Sequence, residues 1–439
     1  MVEPWFAELS DFLRIPSVSA DPAHADDVRA AGEWVCDRLR AADGEAELRD
    51  WHGQPLALGE LRASSGDAAP TVICYGHFDV QPPAPLELWE SEPFELAERD
   101  GHLYGRGIAD DKGQLYMLLK AGEELAAAGE LPVNLRFCCD GEEETGGHSI
   151  VEFLAEDERG GDACVIFDSI MLRPDLPAFH IATRGLIYFH LRVRTGERDL
   201  HSGLFGGAAL NAMHALVLAL EGVLPRDGRL PEPLRAGIVP PTDEELEAWR
   251  QLAPGANVLA AQGALPSDAR AAEEFYLRTF AEPSLDVNGI EGGSPQLQKT
   301  VLPVLAEANL SIRLAPGQDP DRIASQAERL LHESAPPGAE LEVDRLSSAP
   351  PGLVDSESAP VRLGLDVFER VVGARPVLVR SGGTLPIVPA LADKGIPTIL
   401  SGFALPTSNI HSPNENIPVE HVPLGIRTAR ELFQAFAEL

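Results

Sequence analysis

Apolar residues recur along this chain first at helical spacing and then in short continuous runs, and the two patterns alternate. Trp5, Phe6, Leu9, Phe12 and Leu13 mark one face of an N-terminal helix, and Ala31, Val35 and Leu39 the inner stripe of a second over 24–41. Strand-like runs follow at 56–61 and 71–75. A helix over 112–128, with Leu115, Leu118, Leu119 and Leu125 inward, precedes further strands at 133–139 and 163–167. The style returns at the C-terminus, with a strand over 397–401 and a helix over 424–439. Helices interleaved with continuous apolar strands predict an α/β domain whose mixed, mostly parallel sheet is covered by helices on both faces.

Between these ends the pattern changes. Ile187, Phe189, Leu191 and Val193 alternate with polar residues, as in a strand with one buried face, and a helix follows near 208–220. After a stretch containing Pro231, Pro233, Pro240 and Pro241 come a long strand over 306–314, a helix over 320–334 and a strand over 340–346. The reading is an α+β unit over 183–351 inserted into an α/β domain made of 1–182 and 352–439.

Composition narrows the setting. A chain of 439 residues exceeds what one core usually supports, and 44% apolar residues can fill two. The net charge of −34 argues against nucleic acid or an anionic membrane as partner and favours solubility. Cys36, Cys74, Cys138, Cys139 and Cys164 are odd in number, lack a CxxC pair and lie mostly in apolar runs, so they read as reduced core residues of a cytoplasmic protein. The N-terminus is unlike a signal peptide, and no apolar run reaches the roughly 20 residues that span a bilayer.

The chemistry gathers at predicted strand ends. Asp140–Gly147, DGEEETGG, ends a buried strand with three adjacent glutamates, which is costly unless a positive charge sits beside them. His77 and Asp79 follow the strand at 71–75, where open α/β sheets place ligands, and Asp79 can hold the second ring nitrogen of a metal-bound His77. Asp110 and Asp111 lie between glycines at a helix start, Asp168 ends another strand, and His411 sits in a polar loop. Each has a plain structural reading alone, as a loop histidine or a helix cap. Together His77, Asp110, Glu144, Asp168 and His411 form a two-histidine, three-carboxylate set suited to two divalent ions with one bridging carboxylate.

The ordered series GHFDVQP, GRGIADDKG, DGEEETGG, the strand-end Asp168, DLHSGLFGG and IHSPNE closely resembles the dinuclear-zinc metallopeptidase family of carnosinase-like dipeptidases, aminoacylase, glutamate carboxypeptidase and succinyl-diaminopimelate desuccinylase, over nearly the whole chain. The resemblance implies that Asp110 bridges both ions, with His77 and Asp168 completing one site and Glu144 and His411 the other. Glu143 becomes the general base and acid for a hydroxide held between the ions, Asp79 the residue orienting His77, and Glu142 is expected to face solvent. The inserted unit becomes a lid and dimerisation domain. Its His201 matches a histidine that crosses a homodimer interface to stabilise the oxyanion, and Arg313 the arginine that clamps the substrate's carboxylate, with Gly382, Gly383 and Thr384 as a backbone nest beside it. The cofactors implied are two divalent ions, zinc first and manganese or cobalt as alternatives.

One departure and one agreement bear on the substrate. Carnosinase-like dipeptidases often carry Glu where Ser381 stands, whereas Thr384-Leu385-Pro386 looks dipeptidase-like. A small peptide is therefore the first expected substrate and an N-acyl amino acid the second, with a catalytically inactive binding homologue as a third reading that the complete ligand set disfavours.

Overall fold

The computed structural model describes residues 4–439 apart from Asp67 and Thr384. Contacts divide the chain into two units, the first made of Met1–Ile181, Val354–Val379 and Pro386–Leu439, the second of Ala182–Leu353 and Arg380–Leu385.

The first unit is built on a six-stranded sheet in the order Glu45–Trp51, Gln54–Leu61, Asn134–Asp140, Thr71–His77, Ala163–Phe167, Thr398–Ser401. The last four strands run parallel to one another, and the first two join by antiparallel pairing. Asn134–Asp140 and Ala163–Phe167 are buried at every position, which is why they read as continuous apolar runs rather than alternations. Helices including Ala25–Ala41, Lys112–Ala128, Ala359–Val372 and His421–Ala435 cover the sheet, giving the expected α/β class. Parallel pairing sets His77 opposite Asp140 and Phe167 opposite Ser401. Four strand ends thus open onto one edge, where an open α/β sheet binds its ligands.

Glu45–Trp51 was absent from the expected elements. It is the sheet's outermost strand and no residue in it is fully buried, so it carries little apolar signal.

The second unit has a four-stranded antiparallel sheet in the order Ser284–Glu291, Leu305–Leu314, Gly185–Arg194, Glu340–Ala349. Ile187, Phe189, Leu191 and Val193 point inward with Leu310 and Ile312, and pack against Leu216 of Ala212–Glu221 and Ile323 and Leu331 of Pro320–Ser334. Period-two burial on the central strands is the strand pleat expressed directly in sequence.

The segment Arg380–Leu385, which sequence order assigns to the outer domain, packs with the second unit instead. Arg380 is buried and forks onto Glu245, with Nε to Oε1 at 2.6 Å and Nη2 to Oε2 at 3.0 Å, and also donates to the carbonyls of Val239 and Pro240. Ser381 N–H donates to Ala182 O at 2.7 Å. A buried guanidinium must stay with the groups that satisfy its donors, so the segment follows its arginine.

Candidate metal centre

The side chains of the centre sit at or just beyond strand ends, at a helix start and in a late loop. His77 is the last residue of Thr71–His77, and its N–H donates to Asp111 Oδ2 at 3.1 Å. A Cβ on Gly76 would come within 2.6 Å of that carboxylate oxygen, so the glycine of the GH pair makes the approach possible. Asp110 lies just before the helix Lys112–Ala128 and joined to Asp111 by a cis peptide. Gly113 completes this tight frame, since a Cβ there would overlap Ile108 O at 1.9 Å. Glu143 and Glu144 occupy the 3₁₀ turn Glu143–Thr145 after Asn134–Asp140. Asp168 follows Ala163–Phe167, and His411 lies in the turn region beyond Thr398–Ser401.

These side chains converge. Potential ligand atoms of His77, Asp110 and Asp168 lie within 4.8 Å of one another, and so do those of Asp110, Glu144 and His411, with Asp110 common to both groups. His77 Nε2 is 2.9 Å from Asp110 Oδ1, while His411 Nε2 is 2.9 Å from Asp110 Oδ2 and 3.1 Å from Glu144 Oε2. Glu143 stands beside both groups and in neither, its Oε2 4.0 Å from His77 Nε2. Gln81 Nε2 donates to Glu144 Oε2 at 2.7 Å, leaving Glu144 Oε1 buried without a hydrogen-bond partner among the described residues.

The electrostatics call for positive charge. Burial pushes the Glu143 carboxyl well above its ordinary range against the pull of His77, with Asp168, Asp110 and Glu144 adding to the rise. Burial likewise raises Asp168, with the charges of Asp110 and Glu144 reinforcing it against His77 and His411. Burial disfavours a charged His77, yet its bonds to Asp110 and Asp79 and the nearby carboxylate charges raise it well above the usual imidazole range. Hydrogen bonds to Asp110 and Glu144 raise His411 to about 10. Oxygen and imidazole donors, a shared carboxylate and an unpartnered buried carboxylate oxygen together fit divalent metal ions.

The supporting residues differ in part from expectation. Asp79 lies 3.3 Å from His77 Nδ1 by its Oδ1, but its backbone carbonyl also faces that nitrogen at 3.1 Å. Its carboxylate accepts the N–H groups of Glu143 and Glu144 at 3.2 and 3.1 Å, so it shapes the acidic turn as well as the histidine. Glu142 does not face solvent: it is buried, and its Oε1 accepts Ser149 N–H at 2.6 Å at the start of the helix His148–Glu156. The first turn of a helix leaves N–H groups unpaired, and Glu142 satisfies one of them. Glu415 and Arg106, fully buried and paired, escaped the sequence reading, although Glu415 ends the very IHSPNE motif that drew attention to His411.

The remaining expected residues belong to the second unit. His201 is exposed and caps the short helix Ser202–Phe205, its Nδ1 accepting Gly203 N–H at 3.0 Å. That bond assigns the proton of a neutral ring to Nε2. Arg313 lies on Leu305–Leu314, in register with Ser284 and Leu186. Neither Gly382 nor Gly383 has a positive φ, and Gly383 N–H donates to Ser381 Oγ at 3.1 Å, so that N–H serves its own turn. Thr384 lies outside the described residues. Among the described residues no helix is long and apolar enough to cross a membrane, and all five cysteines are buried thiols.

Known proteins resemble this chain over most of its length. The Cys-Gly metallodipeptidase DUG1 of Saccharomyces cerevisiae is 27% identical, over 99% of this chain and 95% of its own length. The Beta-Ala-His dipeptidase of Mus musculus is 30% identical over 83% and 76% respectively. Among solved structures, a metallo-carboxypeptidase from Sulfolobus solfataricus superposes with a TM-score of 0.87 at 25% identity, covering 100% of both chains. The model of Peptidase family M20/M25/M40 matches residues 73–435, and the chain belongs to that family.

Proposed function

We propose that this enzyme is a dipeptidase working with two divalent ions, zinc first among the candidates. His77, Asp110 and Asp168 would hold one ion and Asp110, Glu144 and His411 the other, with Asp110 common to both groups. The observation that carries this reading is the sharing of Asp110 between two ligand groups with Glu143 beside both and in neither. Ions bound there polarise the scissile carbonyl and bring the pKa of water toward neutrality.

The chain's own residues do the rest. Glu143 takes the proton of the attacking water and delivers it to the leaving amine, a role open to it because it is not consumed as a ligand. Asp79 keeps His77 and the Glu143–Glu144 turn in register through the contacts it makes with both. His201, with its proton on Nε2, donates to the developing oxyanion from the second protomer of a homodimer, and the inserted unit acts as lid. Arg313 clamps the substrate's carboxylate as a planar fork, assisted by Gly382, Gly383 and Thr384.

The relatives named above are peptidases, two of them dipeptidases, and they support the dipeptide over other amides. The second reading, an N-acyl-amino-acid amidohydrolase, draws on Ser381, whose hydroxyl is engaged with Gly383 and supplies no carboxylate for a free substrate amine. Comparing dipeptides with their N-acetylated analogues decides between them: free dipeptides turn over faster on the first reading, and preference for the blocked forms reverses the ranking. Glu143→Ala tests the mechanism itself. Turnover falls by roughly 10³-fold or more while elemental analysis still finds about two ions per chain; unchanged turnover refutes the assignment.

A further inference from the structure

Three ligand-bearing segments, far apart in sequence, meet at one buried ion pair, Glu415 with Arg106. Glu415 is fully buried, four residues beyond His411, and its two oxygens accept four hydrogen bonds from the loop that delivers Asp110. Oε2 accepts Arg106 Nη1 at 2.6 Å and Gly107 N–H at 3.0 Å, while Oε1 accepts Ala109 N–H at 2.8 Å and the N–H of Asp110 itself at 3.1 Å. The Glu415 backbone carbonyl adds a fifth bond, from Gly105 N–H at 3.1 Å. Arg106, also buried, reaches on through Nη2 to Ser412 O and to Pro82 O, each at 3.4 Å. It thereby touches the segment after His411 and the segment after His77.

The chemistry of this clamp is specific. All four groups facing the Glu415 side chain are donors, and only an ionised carboxylate offers acceptors on both oxygens. Glutamine has the same shape but would aim an NH₂ at two donors, leaving buried N–H groups unpaired. The Asn416–Pro418 strand that follows is anchored by pairing with His102–Tyr104, so the carboxylate acts against a fixed base. Of the other buried side chains at this loop, Asp111 accepts the N–H of His77 at its strand end, and Gln114 joins Ala109 O to Phe403 N–H.

We propose that Glu415 is a positioning residue of the metal centre, clamping the Asp110 loop onto the His411 loop and so setting the spacing of the Asp110–Glu144–His411 group. It rests on the two-ion reading above, and it assigns the retention of the ion in that group to a residue that touches neither ion nor substrate.

The test is to challenge zinc-loaded holoenzyme with graded concentrations of a chelator and to count zinc per chain, for wild type, Glu415→Gln and Arg106→Gln, with circular dichroism on each sample. Wild type retains two ions, and Glu415→Gln surrenders one of them at a chelator concentration roughly 10- to 100-fold lower, the range for losing an outer partner of a metal ligand. Its kcat recovers with excess zinc, which a merely structural defect would not allow. Arg106→Gln, which keeps the three backbone donors on Glu415, shows the same loss to a lesser degree. Should Glu415→Gln fail to fold, Arg106→Gln decides alone. Retention equal to wild type within twofold in a folded variant overturns the proposal, as does loss of fold in both, which assigns the pair to structure only. A wild type that never holds two ions overturns the underlying two-ion reading instead.

Discussion

The strand ends of the first unit and the sheet of the second handle charge in opposite ways. The first gathers Asp79, Asp110, Glu143, Glu144 and Asp168 around two histidines in a buried or half-buried pocket, with Asp79, Asp110 and Glu144 bonded to groups from other parts of the chain. The second sends its charges to the sheet's open face and edges, and fills its interior with Ile187, Phe189, Leu191, Leu310 and Ile312. One region gives up stability for chemistry, because like charges brought together out of water raise one another's proton affinity. The other is a packed core that supplies stability from apolar burial. Function is therefore readable from burial and charge in the first unit, and almost unreadable by those signs in the second, where His201 is exposed and its ring accepts the N–H of Gly203 in its own turn.

The sharpest way to separate the two is to damage the apolar core. Leu310 is 1% exposed, and Leu310→Ala removes buried methyl groups and leaves a cavity, at a cost of about 2–5 kcal/mol in unfolding free energy. Chemical denaturation measures this loss, and the metal content of the folded variant stays at the wild-type value. Metal loss from that variant would break the division between a stabilising region and a catalytic one.

His201→Ala makes the opposite demand on the second unit. Stability and metal content stay as in wild type, while kcat falls by roughly 10²-fold, the effect of removing one oxyanion donor. Steady-state kinetics with a saturating dipeptide gives the answer, and an unchanged kcat removes His201 from the reaction.

A smaller effect comes from the buried Arg380–Glu245 ion pair within the second unit. Burial alone would raise the Glu245 carboxyl, but the Arg380 fork and the Thr242 N–H outweigh it and hold the group below its ordinary 4.5. The unfolded chain then takes up the proton first, so the pair's contribution is fully present above that pH and is lost as pH falls through the lower folded value. Wild type accordingly loses stability more steeply between roughly pH 5 and 3 than Glu245→Gln does. Parallel pH profiles in urea melts would show that the pair carries no such linkage.

How far the sequence announced all this depends on where each signal sits. The apolar runs of the parallel strands and the alternation of Gly185–Arg194 are properties of single segments, and they were legible as such. His77, Asp110, Glu144, Asp168 and His411 were legible because each follows a recognisable strand or a glycine-framed motif, and the structure brings their ligand atoms together. Glu142 misled, since three consecutive acids look alike until the helix at His148 turns one of them inward as a partner for Ser149 N–H. Glu415 was invisible for a related reason: apart from Arg106, its side-chain partners are backbone N–H groups some 300 positions earlier, which carry no mark in the sequence. Arg380–Leu385 changed units because of one buried guanidinium, and Glu45–Trp51 went unseen as a half-exposed edge strand.

The central claim is that Asp110 serves two ions at once, and metal stoichiometry tests it most directly. Elemental analysis of extensively dialysed protein should find about two divalent ions per chain in wild type, about one in His411→Ala, and essentially none in Asp110→Ala, because the shared carboxylate belongs to both groups. Retention of one or both ions by folded Asp110→Ala would contradict the account.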